Sequence, residues 1–226
     1  VDTLKGQARL QIAPAGGRQT AVRGRRPQPL MLLPDPDKGD LFFDFEGDPL
    51  WTANGTDWGG LEYMFGVLGA GGEFRPLWAH DRREERKALK AFLDMVRKRR
   101  KRYPKMHIYH YAAYERTALL RLAGRYGEGE NEVDDLLRNG VLVDLYPLVR
   151  KSIRVGTENY SLKSLEPLYM GSELRGRRRH HRDRLDHRVR ALLRTARRRP
   201  GRRGRDGTQA DRGLQPLRLP VHPHIA

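Results

Sequence analysis

Two carboxylates lie two residues apart in a strongly apolar segment. Asp44 and Glu46 alternate with phenylalanines, and Gly47 and Pro49 follow directly. Because successive side chains of a β-strand point to opposite faces, a strand here places both carboxylates on one face and the phenylalanines on the other. Neighbouring carboxylates supply the oxygen ligands that hard cations such as Mg²⁺ and Mn²⁺ prefer. The segment therefore offers half of a metal site.

The same pattern also fits an ordinary strand with one polar, solvated face. Apart from the two acids, the residues from Leu41 to Glu46 are all apolar, which is typical of a central strand rather than an edge strand. Burial of two unpaired carboxylates in such a strand is energetically costly. Two interpretations stay open, a structural strand and a metal-binding strand.

Composition excludes several classes of protein. The 226 residues include no cysteine, which excludes disulfides, zinc–thiolate sites and thiol catalysis. No apolar run approaches the ~20 residues of a membrane span, and nothing resembles a signal peptide. We therefore expect a cytoplasmic protein without a membrane partner. The chain begins with Val1 rather than Met, which is typical of a fragment.

The net charge of +17 is concentrated at the C-terminus. Residues 175–226 contain 17 Arg and four Asp but no Lys, Glu or aromatic residue, a net charge of +13. The residues before Arg175 hold 28 basic and 24 acidic side chains, a net charge of only +4. The Arg-rich tail has too little apolar surface to offset the entropy of ordering it, so we expect it to be disordered.

Residues 39–174 have the pattern of one α/β domain, and residues 1–38 carry few structural signals and are predicted to be a linker or the end of a preceding domain. Short spacings between the first three strands indicate an antiparallel meander. Asp81 and Ser161 are predicted helix caps. The predicted elements are strands 41–46, 61–68 and 74–78, helix 82–102, strand 106–110, helices 112–126 and 132–138, strand 141–144 and a helix that opens within 160–165. This order suits a mixed sheet with helices on both faces.

Four motifs occur in order along this domain. They are Phe43-Asp44-Phe45-Glu46-Gly47-Asp48-Pro49, Tyr109-His110-Tyr111-Ala112-Ala113-Tyr114-Glu115, Val143-Asp144-Leu145-Tyr146 and Tyr160-Ser161-Leu162-Lys163. Together they resemble the YprB-type RNase H-like domain of predicted RecB-family nuclease–helicase proteins, over roughly residues 39–172. The resemblance implies an α/β, DnaQ-like exonuclease fold in which four acidic residues bind two divalent cations.

The resemblance also implies roles for individual residues. Asp44 and Glu46 correspond to the first acidic pair, and Glu115 to the third acid, where Glu replaces the more usual Asp. Glu115 equally fits a first-turn glutamate favoured by the helix dipole. Asp144 fits a residue that orients the metal ligands, or a helix cap. His110 fits a supporting residue of the site, or a partly buried histidine at a strand end.

The implied activity is hydrolysis of phosphodiester bonds by a metal-dependent nuclease, of the 3′→5′ exonuclease type, with Mg²⁺ or Mn²⁺ as cofactor. The implied partners are nucleic acid, with DNA expected before RNA, and a helicase domain elsewhere in the full-length protein. The competing hypothesis is a noncatalytic remnant that only binds nucleic acid.

The last acid of the family, in a Tyr-x-x-x-Asp motif, is missing after residue 170. The tail that stands in its place has the composition of GC-rich coding DNA translated in a wrong frame. A shift by one base allows residues 214–219 to read Tyr-Asn-Arg-Tyr-Asp. We therefore expect a frameshift after about residue 174, an incomplete domain without its C-terminal helix, and an impaired nuclease. A genuine Arg-rich arm that binds phosphates by counterion release is the alternative.

Overall fold

The computed structural model describes residues 20–22, 32–55 and 59–169. Residues 33–148 form one compact unit, and the remaining described residues belong to a second. The Arg-rich tail and its predicted disorder lie outside the described residues, as does most of the predicted linker. The predicted domain boundaries at residues 39 and 174 stay predictions.

Seven strands and five helices occur in the described ranges. In chain order the strands are β1 Thr20–Val22, β2 Leu41–Asp48, β3 Leu61–Gly69, β4 Phe74–Trp78, β5 Ile108–His110, β6 Leu142–Asp144 and β7 Ile153–Val155. The helices are α1 Arg82–Arg102, α2 Tyr114–Tyr126, α3 Glu130–Arg138, α4 Leu145–Ser152 and α5 Leu162–Tyr169. None of these helices is both long enough and apolar enough to cross a membrane.

The larger unit is built on a five-stranded mixed sheet with the order β4-β3-β2-β5-β6. Strands β2, β3 and β4 pair antiparallel, as the predicted meander requires, and the Gly69–Gly72 turn joins the last two. Strand β5 pairs parallel to both β2 and β6. The predicted α/β class with an RNase H-like mixed sheet is confirmed, and β2 is its central strand.

Helices α1, α2 and α3 pack against one face of this sheet. Phe43 of β2 stacks on Phe92 of α1, with ring centroids 4.3 Å apart and planes at 20°. Phe45 meets Phe65 of β3 edge-on at 4.6 Å. Because side chains alternate along β2, burial of its odd-numbered residues in this core turns Asp44 and Glu46 toward the opposite face.

Helix α1 begins and ends at the predicted residues. The side chain of Asp81 accepts a hydrogen bond from the backbone N–H of Glu84 at 2.7 Å, which confirms the predicted N-cap. The predicted apolar stripe, which includes Leu89 and Val96, is buried against the sheet. Basic side chains fill the last turn, where they complement the helix dipole.

The smaller unit contains the antiparallel pair β1 and β7, in which Thr20 lies opposite Val155. It also contains α5, whose predicted cap is confirmed, since the Ser161 hydroxyl accepts from the backbone N–H of Ser164 at 3.2 Å. The sequence does not predict this strand pair, nor helix α4. The prediction that α2 begins at Ala112 is wrong: Ala112 has φ +73°, outside the right-handed helical region, and the helix begins at Tyr114.

Candidate active site

Strand β2 places Asp44 and Glu46 on one face of the sheet. The ladder with β3 is regular from Leu41 to Glu46, with Gly66 opposite Asp44 and Met64 opposite Glu46. No bulge separates the two acids, so their Cα atoms lie about 7 Å apart. Both side chains are partly buried. The orientation predicted from the sequence is confirmed.

The cross-strand neighbour of Asp44 is a glycine. The row of residues that crosses the sheet at this position continues from Gly66 of β3 to Pro76 of β4. Glycine contributes no side chain to the row, so the space next to the carboxylate is not filled by its cross-strand neighbour. A partly buried carboxylate supplies the oxygen ligands that a hard cation prefers.

The regular ladder stops directly after Glu46. The register shifts between Glu46 and Gly47, which marks a bulge in β3, because Gly47 pairs with Glu62 rather than with Tyr63. A Cβ atom at Gly47 would lie 2.5 Å from Glu62 Oε2 and 3.0 Å from the Tyr114 hydroxyl. Bulges re-aim side chains and are frequent beside active sites. The close approach of these two side chains therefore favours glycine where the Gly-Asp-Pro motif begins.

Glu115 lies in the first turn of α2 and is only 3% exposed. Its Oε2 atom lies 3.3 Å from Nδ1 of His110, which is 4% exposed at the end of β5. The same ring nitrogen donates to the carbonyl oxygen of Ala112 at 2.8 Å, so Nδ1 carries a proton. Among the described residues Glu115 Oε2 has no hydrogen-bond partner. His110 is therefore the partner of this oxygen by proximity, although the contact is not a hydrogen bond.

Asp144 binds two backbone N–H groups. Its Oδ1 atom accepts from Ala112 and from Tyr146, both at 2.9 Å. The bond to Tyr146 caps helix α4, as the capping interpretation of Asp144 expects. The bond to Ala112, together with the His110 bond to the Ala112 carbonyl, holds that residue at a positive φ that alanine rarely adopts. Asp144 and His110 thus fix the loop that leads into α2 and Glu115.

The structure does not gather the predicted acids into one cluster. No group of three or more His, Asp or Glu side chains that could hold a metal ion occurs within residues 20–22, 32–55 and 59–169. Asp44 and Glu46 share a sheet face, and Glu115 is paired instead with His110. The donor chemistry of the first pair fits one hard cation. A complete ligand set for two cations is not assembled in the described part of the chain.

Sequence reasoning missed a buried ionic network beside this site. Glu85 of α1 is fully buried and accepts from the backbone N–H of Glu62 at 2.6 Å. Arg125 and Arg82 donate to its other oxygen at 3.1 and 3.2 Å, as does the Tyr126 hydroxyl. These groups come from three elements, β3, α1 and α2, that meet only in the folded chain, so the sequence signals only the i,i+3 pair of Arg82 and Glu85.

Glu62 extends this network to the bulge. It accepts from Tyr114 at 2.8 Å and from Arg121, and its second oxygen is buried without a hydrogen-bond partner among the described residues. Burial, and then the hydrogen bond to Glu62, raises the pKa of Tyr114 to about 12. The Tyr114 hydroxyl is therefore a fixed, neutral donor at physiological pH, beside Gly47.

Comparison with known proteins gives one match. The family model RNase_H_2, of the RNase H superfamily, matches residues 41–178, which is more than half of the chain. Neither the curated proteins nor the solved structures contain a match. The matched range begins at the first residue of β2 and includes Asp44, Glu46, His110, Glu115 and Asp144.

Proposed function

The chain belongs to the RNase H superfamily, and from that membership we propose that it is a metal-dependent nuclease of the 3′→5′ exonuclease type. The superfamily itself indicates binding of nucleic acid and nuclease-type activity. The observation that carries the proposal is the placement of Asp44 and Glu46 side by side on one face of the central strand, directly before the bulge in the ladder.

The order of the four motifs supports a narrower assignment. We propose that the domain is of the YprB type and comes from a RecB-family nuclease–helicase protein of the cytoplasm. In that setting the helicase domain of the full-length protein would deliver a DNA strand to the nuclease domain. The motifs that support this assignment lie at residues 43–49, 109–115, 143–146 and 160–163.

Nucleases of this superfamily generally use divalent metals. A bound cation supplies an activated water and stabilises the leaving oxygen of a phosphodiester. In this chain Asp44 and Glu46 would hold Mg²⁺ or Mn²⁺. The proposed third ligand is Glu115, whose Oε2 atom makes no hydrogen bond among the described residues but lies 3.3 Å from His110 Nδ1. His110 and Asp144 would support the site by fixing the loop before Glu115.

We also propose that this chain is impaired. The family's last acid is missing from the sequence, and the described residues do not assemble a cluster of three metal-binding side chains. The same two observations favour the second candidate function, a noncatalytic domain that binds nucleic acid. Loss of a metal ligand can remove several kcal/mol of transition-state stabilisation, and each 1.36 kcal/mol is tenfold in rate.

Cleavage of labelled single-stranded and duplex DNA with Mn²⁺ tests these proposals. The key variant is Asp44→Asn, and Asp48→Asn is its matched control. Asp48 is exposed and lies on the same strand, and its side chain accepts a local hydrogen bond from the Leu50 N–H. We expect weak cleavage that falls about 100-fold or more in Asp44→Asn and is kept in Asp48→Asn. Equal cleavage by Asp44→Asn and the unmodified chain would refute the proposed role of Asp44.

A frame-corrected chain separates impairment from a noncatalytic function. If it cleaves DNA faster than this chain by orders of magnitude, the impairment is confirmed. If neither chain cleaves DNA and both bind it, the noncatalytic function is correct. Peptide mass spectrometry that confirms residues 175–226, together with an intact reading frame in the DNA, would contradict the frameshift.

A further inference from the structure

Three rings form a row on strands β3 and β4. The rings of Tyr63 and Trp78 are nearly parallel, with planes at 14° and centroids 6.4 Å apart. The rings of Trp78 and His80 are also nearly parallel, at 7° and 6.4 Å. Trp78 is 47% exposed, and His80 is exposed. We call Tyr63, Trp78 and His80 the aromatic row.

The aromatic row lies on the sheet face that carries the candidate metal ligands. Met64 of β3 pairs with Glu46 on one side and with Trp78 on the other. Directly paired residues share a sheet face, so Glu46 and Trp78 point the same way. Two strand spacings of about 4.8 Å place the Trp78 Cα atom about 10 Å from that of Glu46.

The bulge after Glu46 brings Tyr63 onto this face. Strict alternation along β3 would point Tyr63 away from its neighbour Met64. The bulge resets the alternation at that point, and the Tyr63 ring lies against Trp78, the cross-strand neighbour of Met64. The irregularity that ends the ladder beside Glu46 therefore also builds the aromatic row.

The edge of the sheet at this position does not suit strand addition. β4 is the edge strand, and its middle residue, Pro76, has no backbone N–H to donate to a further strand. A partner that recognises this surface must use the faces of the rings. Unpaired nucleobases do so, because every base has a π-face, and stacking on aromatic side chains is tolerant of sequence. Bases inside a duplex are already stacked on each other and present no free face.

We propose that the aromatic row is a stacking platform for single-stranded nucleic acid, which it holds next to Asp44 and Glu46. This proposal rests on the proposed function, since it names the form of substrate that the same site receives. Bases that stack on Trp78 would position the strand so that a phosphodiester a few nucleotides away reaches the carboxylates.

Binding by the full chain in EDTA tests the proposal without any need for catalysis. The probes are a labelled oligo(dT) strand and a blunt duplex of equal length, titrated over a series of salt concentrations. Phosphate contacts set the salt dependence, whereas stacking persists at high salt. We expect Trp78→Ala to weaken single-strand binding at least about fivefold, to keep duplex binding and to leave the salt slope unchanged.

Two further variants show whether the effect belongs to the platform. Trp78→Phe keeps an aromatic face and should recover most of the lost affinity. Leu120→Ala removes a similarly exposed apolar side chain from helix α2, which packs on the other face, and should bind like the unmodified chain. If the melting curve shows that Trp78→Ala does not fold, His80→Ala is tested in its place. His80 is exposed, and its removal should weaken the same complex with single-stranded DNA.

The outcomes separate the platform from the nuclease. A folded Trp78→Ala chain that binds oligo(dT) as tightly as the unmodified chain overturns the platform, even if Asp44-dependent cleavage is found. Selective loss of single-strand binding supports the platform, whether or not cleavage is found. If no cleavage is found, only the proposed catalysis is refuted. Equal loss of single-strand and duplex binding also overturns it.

Discussion

Replacement of Glu85 by alanine is the most direct test of how the site is supported. Glu85 is fully buried, and its Oε1 atom accepts from the Glu62 N–H at 2.6 Å. That bond fixes the start of β3, where Glu62 lies opposite Gly47, near the end of β2. The other oxygen neutralises Arg125 and Arg82, whose side chains are about one-fifth exposed.

The expected loss of stability follows from the groups that Glu85→Ala leaves without a partner. Removal of one partner from a buried ion pair typically costs about 3–5 kcal/mol, because the remaining charge is buried without compensation. Here the two arginines are partly solvated, which lowers that figure, while the Glu62 N–H loses its partner, which adds about 1–3 kcal/mol. We expect Glu85→Ala to lower the free energy of unfolding by about 3–5 kcal/mol.

Urea denaturation measures this change. The matched control is Asp94→Ala, on the same helix, whose ion pair with Arg97 is exposed and is therefore worth about 0–1 kcal/mol. Glu85→Gln keeps the shape and one acceptor, so it should fall between the two variants. A loss of less than about 1 kcal/mol for Glu85→Ala, with an unchanged denaturant dependence, would show that the network does not support the fold.

Two more predictions concern the residues around the bulge. Gly47→Ala should lose about 1–3 kcal/mol of stability in the same denaturation assay, because its Cβ atom would collide with Glu62. The nuclease activity of this variant should fall more than that of Asp48→Asn. If Gly47→Ala is as stable as the unmodified chain, the predicted collision does not occur. The pKa of Tyr114, raised by burial from 10 to about 12, means that its contribution to stability is complete below pH 10 and is lost as the pH rises toward 12. The melting temperature of Tyr114→Phe should therefore fall less between pH 10 and 12 than that of the unmodified chain, and parallel curves would refute this reading.

Local rules were sufficient to predict most of the larger unit. Helix α1 has an aspartate cap and an apolar stripe of helical period, and both signals come from neighbouring residues. Strands β3 and β4 are joined by a four-residue connection that contains two glycines, so their antiparallel pairing also follows from local sequence. Predictions of this kind succeed where the stabilising contacts lie close together in the chain.

The errors arose where distant residues decide the structure. The strand β1 is paired with β7, from the other end of the described chain, and short strands of three residues carry almost no periodicity. Ala112 has a positive φ because Asp144 and His110 hold its peptide groups from both sides. Helix α4 contains Pro147 in its first turn, a position that tolerates proline but resembles a loop in sequence.

In the candidate site, too, local features were predictable from the sequence and long-range contacts were not. The shared orientation of Asp44 and Glu46 is a property of one strand, and alternation alone predicts it. The position of Glu115 depends on how α2 enters from β5, and the sequence could not show that its carboxylate would meet His110. The predicted ligand roles of these residues stay predictions until metal binding is measured.

The bulge after Glu46 connects the separate parts of the proposed site. On one sheet face it lets Gly47 lie against Glu62 and Tyr114, and through them against the buried network of Glu85. On the other face it turns Tyr63 toward Trp78, in line with Glu46. Because one irregularity of the backbone serves both faces, changes to the buried network should alter single-strand binding as well as stability, although the two surfaces share no side chain.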